Sequence, residues 1–263
     1  MRPLAIDLFC GLGGWTEALL DAGYYVVGFD IERHEYGEHR YPGQLVVQDV
    51  LTIHGSQFKD AALIVASPPC QEYSYMAMPW SRAKALAAEY RSGVRDVKKL
   101  TALFDACFRI QREACEAAGR HIPMVVENVR GAIPWVGRSR WNFGSFHLWG
   151  DVPALMPAAL LTSAQRDGVK NRDADGYDRK HPAAFGWKSP RTSSGSRNRK
   201  NSKGTVPAEG RKGVGAGAEW FDGNLCRLPS ASPRRKAASA LIAKIPAPLA
   251  AHVAKTFYPQ EAA

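Results

Sequence analysis

Five short apolar runs punctuate the first half of the chain: LAIDLF (4–9), YYVVGFD (24–30), LVVQDV (45–50), ALIVAS (62–67) and PMVVENV (123–129). Runs of this length, bounded by glycine, proline or acidic residues, read as buried strands. Helical spacing separates them. WTEALLDAG (15–23) stops at Gly23, and LTALFDACFRIQREACEAAG, the end of a mostly helical stretch over 81–119, carries an apolar stripe. Alternating strands and helices dictate an α/β fold in which helices cover both faces of a parallel sheet.

The 263 residues, 45% of them hydrophobic, fill one large core or one core with a small companion. Cys10, Cys70, Cys107, Cys115 and Cys226 are odd in number and lack C-x-x-C or zinc spacing, which points to a reducing compartment. The N-terminus MRPLAIDLFC is too short and too acidic for a secretory leader, and no run approaches a membrane span, so a cytoplasmic protein without membrane contact is expected.

A net charge of +10 calls for a polyanionic partner, nucleic acid first. The charge is uneven: residues 165–212 hold 13 Lys and Arg against 5 Asp and Glu. Within them SPRTSSGSRNRKNSKG (189–204) has almost no hydrophobes. Such a stretch is a solvated loop, or one that orders on phosphates. A last helix is expected over about 235–257, interrupted near Ile245-Pro246-Ala247-Pro248. The expected organisation is a catalytic, cofactor-binding region at 1–157, a small basic recognition region at 158–232 and a C-terminal helix at 233–263 packing back on the first.

Strand ends are where a sheet of this kind binds ligands. Phe9-Cys10-Gly11-Leu12-Gly13-Gly14 forms a glycine turn between the first strand and the first helix, where backbone N–H groups can meet a ligand. Asp30 ends the second strand and can accept both hydroxyls of a ribose. The pair suggests a nucleoside-containing cofactor, although G-x-G-G-x-x-E is not a dinucleotide fingerprint and a purely structural turn is the alternative. Asp49 either contacts an adenine amino group or caps a turn. Glu127 ends the fifth strand, where a carboxyl is poorly explained as core filling; pairing with an arginine such as Arg130 is the alternative. Ser67-Pro68-Pro69 is a rigid extended piece, since proline fixes its own backbone and restricts the residue before it. It presents Cys70 at its end, followed by Gln71.

Taken together and in order, these motifs resemble the DNA cytosine-5 methyltransferase family of small, phage or bacterial type: DLFCGLGG its first motif, SPPCQ its nucleophile motif, VVENV its glutamate motif. The likeness covers roughly residues 1–150 and, more weakly, the final helix. It implies a Rossmann-like, S-adenosylmethionine-dependent methyltransferase sheet with a small basic recognition insert, acting on double-stranded DNA as a monomer, with or without a partner restriction nuclease. Cys70 would add to ring carbon 6 of a flipped-out cytosine and so activate carbon 5 for methylation. Glu127 would bond ring nitrogen 3 and the exocyclic amine, while Gln71 and Asn128 shape the site. The cofactor cradle would comprise Phe9, Gly11, Leu12, Gly13, Gly14, Asp30, Ile31, Asp49, Val50, Pro69 and Lys244.

The chain departs from the family pattern in two places. Arg138-Ser139-Arg140, the candidate for the family's Arg-x-Arg, lies closer to Glu127 than the pattern leads one to expect. Ala243-Lys244 stands where the family has Gly-Asn. Lys244 could snorkel to solvent, bind the methionine carboxylate, or favour a carboxylated S-adenosylmethionine, making carboxymethylcytosine. The rival readings are RNA cytosine-5 methylation, a DNA-binding protein that keeps the fold without the chemistry, and a dinucleotide-binding oxidoreductase.

Overall fold

The computed structural model describes residues 2–73, 80–154, 228–229 and 231–260. Its central sheet runs in the order β5 (Gln44–Val47), β2 (Tyr25–Asp30), β1 (Leu4–Leu8), β6 (Ala61–Ala66), β7 (Met124–Asn128), β9 (Phe146–Gly150), β8 (Trp141–Phe143). The first five are parallel; β9 runs antiparallel to β7, and β8 antiparallel to β9. The protein is thus a mixed α/β fold on a large, mostly parallel sheet. The β8–β9 hairpin was not foreseen. Only Gly144-Ser145 joins its strands, and a parallel crossover needs about a dozen residues or more. A second small hairpin, β3 (Glu35–Tyr36) with β4 (His39–Arg40), stands apart from the sheet.

Successive side chains on each strand feed opposite cores, as a period of two requires. Ile64 and Ala66 of β6, with Met124 and Val126 of β7, join one core together with Phe104 and Ile110. Leu63, Val65 and Val125 join the other with Trp15 and Leu19. The first core is covered by α3 (Val97–Ala118), whose Leu100, Phe104, Cys107, Ile110 and Ala114 form its buried stripe. Asp96 caps α3 by accepting the Lys98 N–H at 2.9 Å, and Gly119 ends it at φ 63°. The expected helical stretch is therefore two helices, with α2 (Trp80–Arg91) ending before that cap. A short α4 (Ile133–Val136) follows β7.

The second core is covered by α1 (Gly14–Asp21) and the last helix, α6 (Ala247–Thr256), which follows α5 (Pro233–Ala243). Pro246 at the break has no N–H to continue a helix. Leu249, Ala250, Val253 and Ala254 of α6 pack with Trp15, Leu19 and Tyr24, and the Tyr24 hydroxyl donates to the Ala254 carbonyl at 3.1 Å. Among the described residues no single helix is long and apolar enough to cross a membrane. The basic stretch 165–212, nearly all of the 158–232 region and Cys226 lie outside the described residues.

Candidate cofactor and catalytic site

The chain leaves β1 for β2 and β5, then returns to β6 on the other side of β1. Strand order reverses there, and the resulting crevice beyond the strand ends is where open α/β sheets bind ligands. The glycine turn closes one side and the Ser67–Cys70 loop the other. They are joined directly: the Trp15 Nε1–H donates to Ser67 Oγ at 3.0 Å. Phe9 holds φ 58°, the one positive value on a non-glycine residue among those described, and such strain gathers at functional loops. Gly11 has φ 50°, and nothing lies within 4 Å of where its Cβ would stand. Leu12, Gly13 and Gly14 are buried.

Asp30 lies at the tip of β2, beside this turn. Its Oδ2 accepts the Gly11 N–H at 2.9 Å, and Oδ1 accepts the Ile31 N–H at 2.8 Å. His34 Nε2 stands 3.4 Å from Oδ1. Burial pushes the Asp30 pKa up, but the bonds from His34 and the Gly11 N–H more than reverse this, so it lies below its ordinary value. Ile31 is 70% exposed, a large apolar side chain left open at the strand tip. Asp49 caps a short 3-10 turn over Val50–Thr52 by accepting the Leu51 N–H at 2.9 Å; the third strand ends at Val47, three residues short of the expected run. Val50 is buried beneath it. Open space at Gly11, an ionised carboxylate and an exposed apolar side chain fit a nucleoside: a close backbone approach, a ribose diol and a flat base.

Lys244 sits between α5 and α6, and its Nζ donates to Glu17 Oε1 of α1 at 2.6 Å. A Cβ on Gly14 would stand 2.4 Å from the Ile245 nitrogen, so the absence of that atom lets the C-terminal segment lie on the start of α1. The Lys244 charge thus meets the Glu of G-x-G-G-x-x-E.

Cys70 is half-buried at the end of the loop after β6, with Pro68 buried and Pro69 and Gln71 exposed. Glu127 and Asn128, the last two residues of neighbouring β7, are 5% and 1% exposed. The Asn128 Nδ2–H donates to the Pro68 carbonyl at 2.9 Å, and its Oδ1 accepts the Val129 N–H at 2.8 Å. One side chain therefore links the Pro-Pro-Cys-Gln loop to the Glu-Asn-Val strand end.

Arg138 and Arg140 are exposed and precede β8. Glu127 is in register with Leu148 of β9, and the Arg140 N–H donates to the Leu148 carbonyl at 2.8 Å. The Arg140 backbone is thus level with Glu127 but two strands away, roughly 10 Å at ordinary strand spacing. Between the arginines, Ser139 Oγ meets His147 Nδ1 at 2.9 Å, and His147 pairs with Asn128.

Three contributors were not foreseen. Tyr90 of α2 donates its hydroxyl to Glu72 Oε2 at 2.8 Å, steadying the loop just past Gln71, and its ring meets Trp135 edge-on at a centroid distance of 5.6 Å. The Thr16 hydroxyl donates to buried Asp7 at 2.6 Å and lies 2.6 Å from the Tyr41 hydroxyl, tying the 31–43 segment to β1 and α1. Burial raises the Asp7 carboxyl to about 7, against the lowering bond from Thr16. His34 joins Asp30. None of these partners is within three residues of the other, so no local spacing announces them; the Asp in a strand read as apolar was the nearest signal.

Solved structures similar to the chain include an E. coli prophage protein named as a DNA modification methyltransferase, at 21% identity over 50% of this chain, TM-score 0.33. Another is the methyltransferase EhMeth of Entamoeba histolytica, at 17% identity over 52%, TM-score 0.35. The Dnmt2 methyltransferase of S. pombe is 11% identical over 97% of this chain and 98% of its own, TM-score 0.44. The chain spans 33% and 41% of the length of the first two. No curated protein matches it. Over residues 4–100, which hold both the glycine turn and the Cys70 loop, the chain carries the sequence pattern of the C-5 cytosine-specific DNA methylases.

Proposed function

We propose that the protein methylates carbon 5 of cytosine in double-stranded DNA, with Cys70 as the covalent nucleophile and S-adenosylmethionine as the methyl donor. The observation that carries the reading is the Asn128–Pro68 bond, which fastens the Cys70 loop to the strand end bearing Glu127. An unactivated cytosine carbon 5 is a poor nucleophile. Addition of the Cys70 thiolate to ring carbon 6 makes an enamine whose carbon 5 can accept an electrophilic methyl group. Loss of the carbon-5 proton then expels the thiolate. Glu127 bonds ring nitrogen 3 and the exocyclic amine, stabilising the ring as the sulfur adds. The two prolines and Asn128 hold the sulfur on one line of approach, and positioning of this kind is worth several kcal/mol. The target base has to leave the duplex to enter such a pocket.

S-adenosylmethionine supplies an activated methyl group when bound. In this reading Asp30 takes its ribose hydroxyls, Ile31 covers its adenine, and Gly11 admits it close to the backbone; the ionised Asp30, the exposed Ile31 and the open space at Gly11 support it. The Lys244–Glu17 pair neutralises the one cation that suggested a carboxylated cofactor, and this supports the ordinary one. The 13 Lys and Arg of residues 165–212 supply phosphate affinity, which should fall with salt. Arg138 and Arg140, exposed on the far side of β9 from the Glu127 strand end, are further candidates to meet the substrate. The catalytic region 1–157, the recognition region 158–232 and the returning C-terminal segment are the division of labour we favour, in a monomer.

The test is a trap. The protein, S-adenosylmethionine and a mixed duplex pool containing 5-fluorocytosine should give a denaturant-resistant adduct, because fluorine at carbon 5 blocks the final elimination. Loss of the adduct in Cys70→Ser, with a methyl group in the added mass, is the expected result. An adduct on structured RNA alone would move the substrate to RNA, and none on either would favour a DNA-binding protein.

A further inference from the structure

His34 lies outside every motif that pointed to the site, yet it reaches into it. Its Nε2 is 3.4 Å from Asp30 Oδ1, with side chains only 19% and 11% exposed. The same Oδ1 accepts the Ile31 N–H at 2.8 Å and the Glu32 N–H at 3.4 Å, whereas Oδ2 carries, among the described residues, only the Gly11 N–H at 2.9 Å. A carboxylate offers about four lone-pair positions, two on each oxygen. Oδ1, with three donors for two positions, is therefore over-subscribed, and Oδ2 is half-used. A ribose presents two neighbouring hydroxyls, and gripping both with one carboxylate requires a position on each oxygen. Oδ2 has one to give. On Oδ1 the Ile31 N–H holds one position firmly, and the second is shared by the Glu32 N–H and the His34 ring, each at 3.4 Å. The Glu32 N–H is fixed by the chain's own course, so the His34 ring is the donor that can leave, and the long backbone contact that remains is weak enough for a hydroxyl to take the place.

We propose that His34 and the cofactor's ribose diol compete for the same Asp30 oxygen, so that cofactor binding displaces a protonated His34 and is coupled to release of its proton. The inference rests on the cofactor reading above and adds to it a positioning residue with a pH-linked role. The charged and titratable groups facing His34 favour its protonation on balance. Asp30 at the end of β2 bonds it, Glu32 approaches Nδ1 at 3.7 Å, and the Tyr36 hydroxyl of β3 lies 3.3 Å from Nδ1. Lys236 of α5 acts in the opposite sense. The bond to Asp30 raises the His34 pKa, and burial only partly offsets it. Asp30, held below its ordinary value, stays ionised near neutrality, so His34 is the group that titrates. Once separated from Asp30, His34 loses the largest contribution that favours its proton, and the proton passes to solvent.

The experiment uses the full chain and S-adenosylhomocysteine, with binding followed by titration calorimetry. From about pH 8 down to about pH 6, one linked proton weakens binding by at most roughly tenfold per unit, and we expect a total loss of about threefold or more. Near neutrality the binding heat should differ between buffers of unequal ionisation enthalpy, reporting release. His34→Asn should bind at least as tightly as the wild type at the lower pH, with a flattened profile and little proton release. Its comparison with the wild type removes any titration of the ligand itself. Equal affinity of the wild type at both pH values, or a slope retained in His34→Asn, overturns the inference and leaves the cofactor reading standing. Failure of the folded wild type to bind S-adenosylhomocysteine at any pH overturns the cofactor reading and this inference with it.

Discussion

Asn128 reaches from the end of β7 to the Pro68 carbonyl in the loop after neighbouring β6, 2.9 Å away, and both residues are buried. Asn128→Ala leaves that carbonyl without its donor, which costs about 1–3 kcal/mol. Asn128→Asp is expected to be worse, because a carboxylate faces a carbonyl oxygen. Denaturant unfolding checks the stability, and the rate of adduct formation with 5-fluorocytosine DNA checks the positioning of Cys70. Both should fall together.

The loops after β6 and β7 also touch through backbone alone. A Cβ on Gly131 would stand 1.9 Å from the Tyr73 carbonyl oxygen. No side-chain motion relieves a clash with main chain, so Gly131→Ala should cost upwards of about 2 kcal/mol and shift the Cys70 loop. Retention of wild-type stability and adduct rate in this variant would count against the observed packing.

Tyr90→Phe removes the hydroxyl that Glu72 accepts while keeping the ring against Trp135. Because Glu72 is exposed, the stability loss should stay near 1 kcal/mol. Glu72→Gln, which keeps an acceptor, should behave nearly as wild type. A double-mutant cycle of Tyr90→Phe with Glu72→Leu should show the two changes to be non-additive.

Asp7 gives the fold a pH dependence of unusual sign. Its folded value, about 7, lies above the ordinary 3.8, so between the two the folded state keeps a proton that the unfolded chain has lost. Stability therefore falls as pH rises from about 4 to about 7, and the loss persists above that range. Asp7→Asn should flatten this part of the stability–pH curve measured by urea unfolding. The slope is the readout, since the new amide also changes the Thr16 bond.

The local pattern of the chain was enough for the elements nearest the site. Short, nearly continuous apolar runs, each ended by a glycine, proline or acid, mark β1, β2, β6 and β7, because burial on both faces admits little else there. The glycine turn, Asp30, the Pro-Pro-Cys-Gln loop and the Glu-Asn-Val end were legible for the same reason: each is contiguous, and its backbone or charge has few other uses. The β8–β9 hairpin was not legible, since WNFGSFHLWG does not specify which strand it will pair with. Nor was the end of β5, where Asp49 turns the chain by capping. Tertiary structure alone decided who meets whom. Asn128 bonds Pro68 sixty residues away, and Lys244 meets Glu17 across 227. The His34–Asp30 contact is short in sequence but depends on how the loop after β2 folds back over the glycine turn. Hydrogen bonds of this kind depend on direction and distance in space, and sequence spacing fixes neither until the sheet has set the strand order.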